Sequence, residues 1–272
     1  MLVAIVAAGC SSSEEETVLN GSAVETSVLL TFSPYEVDAM TRTATSISNY
    51  CTHLDVWITD GESTTAVHQS SSDSDFGSLS VTLDKTKTYT LYAVAHKCAS
   101  DATLADGIVS FPDDKVTHSM FYTTTFSPAT TTSLSCEMSR IVAMFRMETT
   151  DAVPAECRKI RFTISDVFDR WSVTAGGTHQ VNRVSTVSIT STANDGTVAI
   201  SIYAIATDAQ TLHTVTAEAL NESDGVIQTR VFENVPLRNG YKTTYRGTFF
   251  TDTDISISFT CDDWNEYDTI NF

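Results

Sequence analysis

The sequence predicts an all-β protein with two antiparallel β-sandwich domains in tandem and few short helices. Apolar residues recur at every second position in most segments, which is typical of strands with one buried face. Asp-Gly and Asn-Gly pairs lie between these segments and tolerate positive φ, and such regular turns between short strands favour antiparallel sandwiches. The length of 272 residues fits two domains at roughly 150 residues each.

The first domain is predicted over residues 22–130, and its first strand has the clearest alternation. Between residues 24 and 32 the even-numbered positions are Val, Thr, Val, Leu and Phe, with Glu25, Ser27 and Thr31 among the intervening residues. One face of this strand is therefore expected to be buried. Three further strands are expected from Leu54, Val56 and Ile58, from Leu79, Val81 and Leu83, and from Tyr89, Leu91 and Ala93.

The second domain is predicted over residues 131–272, because Ser, Thr and Pro128 interrupt the alternation near residues 126–135. Helical patterns are short, and we expect them only within residues 100–106 and around 154–158. Turns are expected at Asp60-Gly61, Asn194-Asp195-Gly196, Asp224-Gly225 and Asn239-Gly240. Strands of the second domain are expected around Ile141–Met147, Ile160–Ile164, Val198–Ala204, Val215–Ala219, Ile227–Val231, Tyr245–Phe250 and Ile255–Phe259.

Residues 1–21 predict a lipoprotein signal followed by an acidic tether. A short apolar run ends in the small residues Ala7-Ala8-Gly9, which suit a signal peptidase, and Cys10 follows with a thiol that can carry a lipid such as palmitate. A membrane-spanning helix needs about 20 apolar residues. The run before Cys10 is too short for that, so we expect lipid attachment at Cys10 and no transmembrane anchor.

The charge of the chain excludes one class of partner. The sequence has 34 acidic and 16 basic residues and a net charge of -18, which repels phosphate backbones, so we expect no nucleic-acid partner. Apart from Cys10, five cysteines remain, an odd number without CxxC spacing. We therefore expect mainly buried free thiols, although a disulfide between Cys136 and Cys261 stays open.

The usual short motifs of enzymes and cofactor sites do not occur in the sequence. No two of the six histidines have HxxxH or HExxH spacing, and no GxSxG, GxGxxG or P-loop pattern is present. Acidic pairs such as Asp73 with Asp75 lack the spacing of an EF-hand, which favours solvated loops over calcium sites. We therefore predict no catalytic residues, no metal site, no cofactor and no enzymatic activity.

Landmarks along nearly the whole chain resemble one known family. The quoted segments are Ser11–Glu16 after the lipidation site, Met40-Thr-Arg-Thr-Ala-Thr45, Met138-Ser-Arg-Ile-Val-Ala-Met144, Val235–Gly247 and Cys261-Asp-Asp-Trp-Asn265. Together with the first period-two strand they resemble the fimbrillin superfamily of Bacteroidetes type V pili. The acidic tract resembles the signal that directs lipoproteins of this group to the outer face of the outer membrane.

The resemblance implies two transthyretin-like sandwiches, exported as a lipoprotein precursor and assembled by strand exchange into an adhesive fimbrium. An arginine-specific protease would cut between Arg42 and Thr43 and remove the first strand, whose groove-filling residues are Val24, Val28, Leu30 and Phe32. Other fimbrial subunits would refill the groove by strand insertion, and the outer membrane would hold the lipid on Cys10. Surface ligands of host or bacterial cells are further candidate partners.

The resemblance leaves the position of the chain in a fibre open. An anchor subunit would keep Cys10 and its lipid, a stalk subunit would both donate and accept a strand, and a tip subunit would only accept one. The segment Asp268-Thr269-Ile270 resembles an O-glycosylation signal of the same bacterial group, which would modify Thr269.

The alternative function is a surface glycan-binding lipoprotein with the same sandwich domains. Its binding surface would use Trp57, Trp171 and Trp264, because indole rings stack on sugar rings. This alternative requires the tryptophans to lie on an exposed face.

Overall fold

The structure is a computed structural model that describes residues 24–35, 46–189 and 197–251, together with the backbone of residues 259–263. Within these ranges the chain forms seventeen strands and two 3₁₀ turns, at Ile47–Asn49 and Pro112–Asp114, and no α-helix. The predicted all-β class is therefore confirmed, with sheets in sandwich-like arrangements.

Nine strands precede residue 141. They are β1 (Glu25–Pro34), β2 (His53–Thr59), β3 (Thr64–Ser70), β4 (Ser78–Asp84), β5 (Tyr89–His96), β6 (Thr103–Ala105), β7 (Ile108–Ser110), β8 (Ser119–Phe126) and β9 (Ser133–Arg140). Eight strands follow. They are β10 (Ala143–Thr149), β11 (Lys159–Ser172), β12 (Gly176–Ser188), β13 (Ala199–Ala204), β14 (Thr211–Leu220), β15 (Val226–Leu237), β16 (Tyr241–Gly247) and β17 (Phe259–Asp263).

Seven strands of the first half form one sheet in the order β3-β2-β5-β8-β9-β1-β4. The two parts of this sheet meet where Met120 and Phe121 of β8 pair with Arg140 and Ser139 of β9. Buried residues from both parts belong to a single core cluster, so the sheet closes over its own apolar face. Strand β9 lies beyond residue 130, where we predict the domain boundary, and it pairs with β1 and β8 of the first half.

The second half contains a four-stranded sheet, β13-β10-β16-β17, and a larger sheet, β15-β14-β11-β7-β6, in which β12 also pairs with β11. Their inner faces share a second core, whose largest fully buried side chains include Phe145, Phe162, Phe232 and Tyr245. Aromatic rings contact one another in this core, and the ring centroids of Phe232 and Tyr245 are 4.5 Å apart.

The hairpin β6–β7 connects the two halves through backbone pairing. It comes between β5 and β8 in the chain, yet Ser110, Val109 and Ile108 of β7 pair with Arg170, Trp171 and Ser172 of β11. A third cluster of buried residues lies beside this junction and contains residues of both halves. Its members include Trp57, Val94, Val109, Met144, Trp171 and Ile205.

Both predicted helical segments are wrong, whereas the described turns are confirmed. Residues 103–105 form β6, because pairing with β7 outweighs their weak helix propensity. Residues 154–158 form a turn and irregular backbone. Gly61, Asp224 and Gly240 all have positive φ between consecutive strands. The predicted turn at Asn194–Gly196 lies outside the described residues.

Candidate functional site

Strand β1 lies in the interior of the seven-stranded sheet, although it comes first among the strands that the structure describes. On one side Glu25 to Thr31 pair antiparallel with Asp84 to Ser78 of β4. On the other side Leu29 to Pro34 run parallel to Ser133 to Met138 of β9. An interior strand satisfies the backbone groups of two neighbours at once, so its removal would leave unpaired groups on both.

Strand β4 depends on β1 for its place in the sheet. Within the described part of the chain β4 is an edge strand that pairs with β1 alone. Backbone hydrogen bonds also close both ends of β1, from the Lys85 amide to the Val24 carbonyl at 2.7 Å and from the Phe32 amide to the Gly77 carbonyl at 2.8 Å. We call the space that β1 fills between β4 and β9 the β1 slot.

The side chains of β1 alternate as its sequence predicts. Val28 and Leu30 are fully buried and Phe32 is 5% exposed, while Ser27, Leu29 and Thr31 face outward. Burying a side chain of this size stabilises a fold by about 1.5–3 kcal/mol, or roughly 5–9 kcal/mol for the three together. Val24 differs from the prediction, because it precedes β1 and is 56% exposed.

The core that receives these three side chains is built from several elements of the first half. Ile47 of the first 3₁₀ turn, Leu54 of β2, Leu91 of β5, Met120 of β8 and Met138 of β9 are all nearly inaccessible to solvent. The β1 slot is therefore a deep apolar groove with a hydrogen-bonding strand on each side, which is the geometry required to accept an extended segment.

Three of the predicted site residues lie outside the described residues. They are Cys10, Arg42 and Thr43. In the chain, Arg42 falls between the end of β1 at Pro34 and the 3₁₀ turn that begins at Ile47. A cut after Arg42 would thus separate β1 from the rest of the chain without dividing another described strand.

Burial removes two tryptophans from the predicted glycan-binding surface. Trp57 is 5% exposed and Trp171 is 8% exposed, and both belong to the cluster between the two halves. Neither ring can stack on a sugar from solvent, because side chains of the cluster cover it. Trp264 lies outside the described residues.

The described cysteines are free and buried, as expected for structural thiols. Cys51, Cys98, Cys136 and Cys157 form no disulfide. Burial raises the pKa of Cys136 to about 12 and also raises that of Cys157. Since the thiolate is the reactive form, these two side chains are poor nucleophiles and poor metal ligands.

Sequence reasoning missed a group of charged and imidazole side chains on β2, β3 and β5. Asp55 lies directly opposite His68 in the β2–β3 hairpin, and His53 lies opposite His96 in the β2–β5 pairing. The signal that could have found it is the predicted turn at Asp60-Gly61, because the strand register on either side of this loop places Asp55 opposite His68. The group is buried at Asp55 and His96 and open to solvent at His68.

The fold and the β1 slot define an all-β protein of two joined sandwich halves whose first strand is inserted between two others. A candidate cell adhesion protein from Bacteroides ovatus ATCC 8483 has this fold, with 14% identity, a TM-score of 0.51, and coverage of 88% of this chain and 98% of that chain. So does a protein from Bacteroides thetaiotaomicron VPI-5482 described as a candidate polysaccharide binding protein (DUF1812), with 9% identity, a TM-score of 0.52 and coverage of 88% and 96%.

The fimbrial anchor protein Mfa2 from Porphyromonas gingivalis superposes with a TM-score of 0.47, 11% identity, and coverage of 88% of this chain and 97% of that chain. At these identities the solved Bacteroides proteins show a shared all-β fold, which agrees with the fold that the resemblance implies. Residues 111–270 match the model of a family of unknown function, DUF6562, and the chain belongs to that family. No curated protein matches the sequence. In the described ranges no helix is long and apolar enough to cross a membrane.

Proposed function

We propose that this protein is a structural subunit of a cell-surface fimbrium that acts in adhesion and has no enzymatic activity. The protein is exported as a lipoprotein whose lipid is attached to Cys10. It assembles when a strand of another subunit takes the place of β1 in the sheet. The observation that carries this proposal is the position of β1, an interior strand that precedes all the other described strands and fills an apolar groove.

The chain order makes β1 removable. A single cut after Arg42 releases a fragment that contains β1 and Cys10, while β2 to β17 stay on one polypeptide. The remaining protein then has an open slot with two unsatisfied strand edges and an apolar floor, which is unstable in water. A donor strand with apolar residues at alternate positions restores the pairing and the burial together.

The stability of the contact between a donor strand and the β1 slot can be judged from β1 itself, which occupies the same place. Three buried side chains account for roughly 5–9 kcal/mol, and two rows of backbone hydrogen bonds close over them. A contact between subunits that is stabilised in this way persists without a covalent bond. The fold shared with candidate adhesins of Bacteroides supports a role at the cell surface.

The proposal is tested by comparing the full chain with protein that begins at Thr43. We expect the shortened protein to form a ladder of oligomers on gel electrophoresis without boiling, and the full chain to remain monomeric. A synthetic peptide spanning residues 24–35 should occupy the slot and suppress the ladder, whereas the same peptide with Leu30→Asp should not. Folded monomers in the absence of peptide would contradict strand exchange, and binding of such monomers to a polysaccharide array would favour the glycan-binding alternative.

The role within the fibre is tested by the mature N-terminus of the protein from its native organism. Mass spectrometry that finds a lipid on Cys10 identifies an anchor or an unprocessed precursor, and an N-terminus at Thr43 identifies a processed subunit. An N-terminus at neither residue would contradict both the lipidation and the cleavage that we propose.

A further inference from the structure

Three potential metal ligands converge at the side of the first half that carries β2 and β3. The Nδ1 atom of His68 lies 2.6 Å from Oδ1 of Asp55 and 3.9 Å from Oδ2 of Asp101. The three ligand atoms all lie within 4.8 Å of one another, and this is the one such group of histidine, cysteine and carboxylate side chains in the described ranges. The three residues come from different elements, namely β2, β3 and the connection between β5 and β6.

The backbone fixes each of these ligands independently. Strand pairing places Asp55 directly opposite His68. The Ala102 amide donates a hydrogen bond to Oδ2 of Asp55 at 2.9 Å, which holds the neighbouring Asp101 against β2. The convergence therefore does not depend on a chance meeting of flexible side chains.

The inner carboxylate has the supporting hydrogen bonds that metal-binding carboxylates usually have. Oδ2 of Asp55 accepts a second hydrogen bond from Nε2 of His96 at 2.7 Å, and the Cys98 amide donates to Nδ1 of the same ring at 3.1 Å. The other oxygen of the same carboxylate, Oδ1, is directed towards His68.

We propose that Asp55, His68 and Asp101 form a binding site for a divalent transition-metal ion of the zinc type. One imidazole nitrogen and two carboxylate oxygens supply three ligands of types that zinc binds, and water can take the fourth position. The side chains of His68 and Asp101 are 37% and 52% exposed, which leaves a route for the ion and its water. Calcium fits less well, because it takes six to eight oxygen ligands.

Binding requires one small rearrangement. In the metal-free protein the Nδ1 proton bridges His68 and Asp55; the ion takes the place of this proton, which passes to water. Two ligands of one tetrahedral ion stand roughly 3.3 Å apart. The His68 side chain must therefore draw back by less than about 1 Å, and it can do so because β3 is the edge strand of its sheet.

The bound ion would tie the connection between β5 and β6 to the sheet. Asp101 lies just before the β6–β7 hairpin, which pairs with β11 of the second half. An ion held jointly by β2, β3 and Asp101 would restrain the point at which the chain passes from one half to the other. This inference does not depend on strand exchange at the β1 slot.

The chain contains an internal control with the same histidine–aspartate geometry. Nδ1 of His179 lies 2.7 Å from Oδ1 of Asp169, again with a buried carboxylate and an exposed imidazole. No third ligand joins this pair in the described part of the protein. His179→Ala thus removes an equivalent hydrogen bond without touching the proposed site.

The test is isothermal titration calorimetry of Zn²⁺ into the full chain and four variants. We expect Asp101→Asn and His68→Ala to weaken binding at this site by at least about tenfold, by analogy with losses of supporting residues at metal sites. Asp106→Asn, an exposed residue of the β6–β7 turn, makes the same change of charge and should bind as the wild type does, as should His179→Ala. Circular dichroism verifies the fold of each variant.

Two outcomes would overturn the proposal. Binding to Asp101→Asn at wild-type affinity and stoichiometry would place the ion elsewhere, for example at a cysteine. Displacement of Zn²⁺ by an equal concentration of Ca²⁺ would contradict the histidine ligand. The titration uses the full chain, in which β1 is in place, so failure of oligomers to form would leave the calorimetric result unchanged and the two proposals fail separately.

Discussion

Arg140 donates a hydrogen bond from its Nε to Nε2 of His118 at 3.2 Å, so this ring nitrogen carries no proton in the folded protein. The imidazole is 5% exposed, and Tyr50 and Tyr203 have their rings within about 6 Å of it. Burial, reinforced by the positive charge of Arg140, lowers the pKa of His118 to about 3. The folded protein therefore holds a neutral histidine that the unfolded chain would protonate.

The first prediction is that this histidine makes stability fall as the pH decreases below about 6.5. The unfolded state gains a proton at His118 below that pH, whereas the folded state does not gain one until the pH approaches 3, and each pH unit between costs up to about 1.4 kcal/mol. Urea unfolding at pH 7, 5.5 and 4 measures the slope. We expect His118→Gln, whose amide oxygen can accept from Arg140, to flatten it.

The second prediction concerns two adjacent leucines of β1. Leu30 is fully buried in the core of the first half, and Leu29 is 44% exposed. We expect Leu30→Ala to lower the free energy of unfolding by about 2–5 kcal/mol, because it leaves a cavity among well-packed neighbours. Leu29→Ala removes the same atoms from the outer face of the strand and should change it by less than about 0.5 kcal/mol. Equal effects in chemical denaturation would mean that β1 does not fill the slot as described.

The third prediction concerns Arg183 on β12, whose guanidinium bridges β13 and the connection between β7 and β8. It donates to the carbonyl oxygens of Tyr203 at 2.9 Å, Asp114 at 3.1 Å and Val116 at 2.7 Å. Lysine cannot reproduce this fork, and hydrogen bonds from a charged group contribute about 1.5–3 kcal/mol each. We expect Arg183→Lys to lower the thermal midpoint by several degrees. The control is Arg161→Lys in the surface pair with Glu218, which should have little effect.

The fourth prediction concerns Asp151, which holds the chain immediately before residue 252. Its Oδ1 accepts from the Phe249 amide at 2.9 Å, and its Oδ2 accepts from the amides of Phe250 at 2.7 Å and Thr251 at 2.9 Å. Asp151→Asn turns one oxygen into a donor that faces these donors. We expect hydrogen exchange at these amides to accelerate about tenfold. Asp224→Asn, in a surface ion pair with Lys159, should leave their exchange rates unchanged.

The alternation of side chains made the buried face of several strands predictable. Val28, Leu30 and Phe32 of β1 and Ile160, Phe162 and Ile164 of β11 are all buried, as the period of two indicates. In β15 the alternation of Ile227, Thr229 and Val231 predicts that these residues face the core, and this is wrong for Val231. Val231 is 48% exposed and its neighbour Phe232 is buried. A bulge at Glu233 and Asn234 then shifts the pairing with β14.

Contacts between segments that are distant in the sequence could not be predicted from the alternation of apolar residues. Strand β2 is covered on both faces, so Asp55 and Trp57 are buried beside the predicted Leu54, Val56 and Ile58. This second cover comes from residues of the hairpin region and the other half, such as Val109 and Trp171. Alternation within one strand carries no information on whether a second layer packs on the outer face, nor on which loop approaches a given aspartate.

The β6–β7 hairpin has a consequence for how such proteins can evolve. Its residues are encoded within the first half, but Val109 is fully buried and its backbone pairs with β11. A genetic exchange that moved either half alone would leave this hairpin without its sheet, or that sheet without its edge. The two halves are therefore expected to be inherited together and not exchanged separately between proteins. Sequence change should concentrate on the outward faces of strands and on the turns.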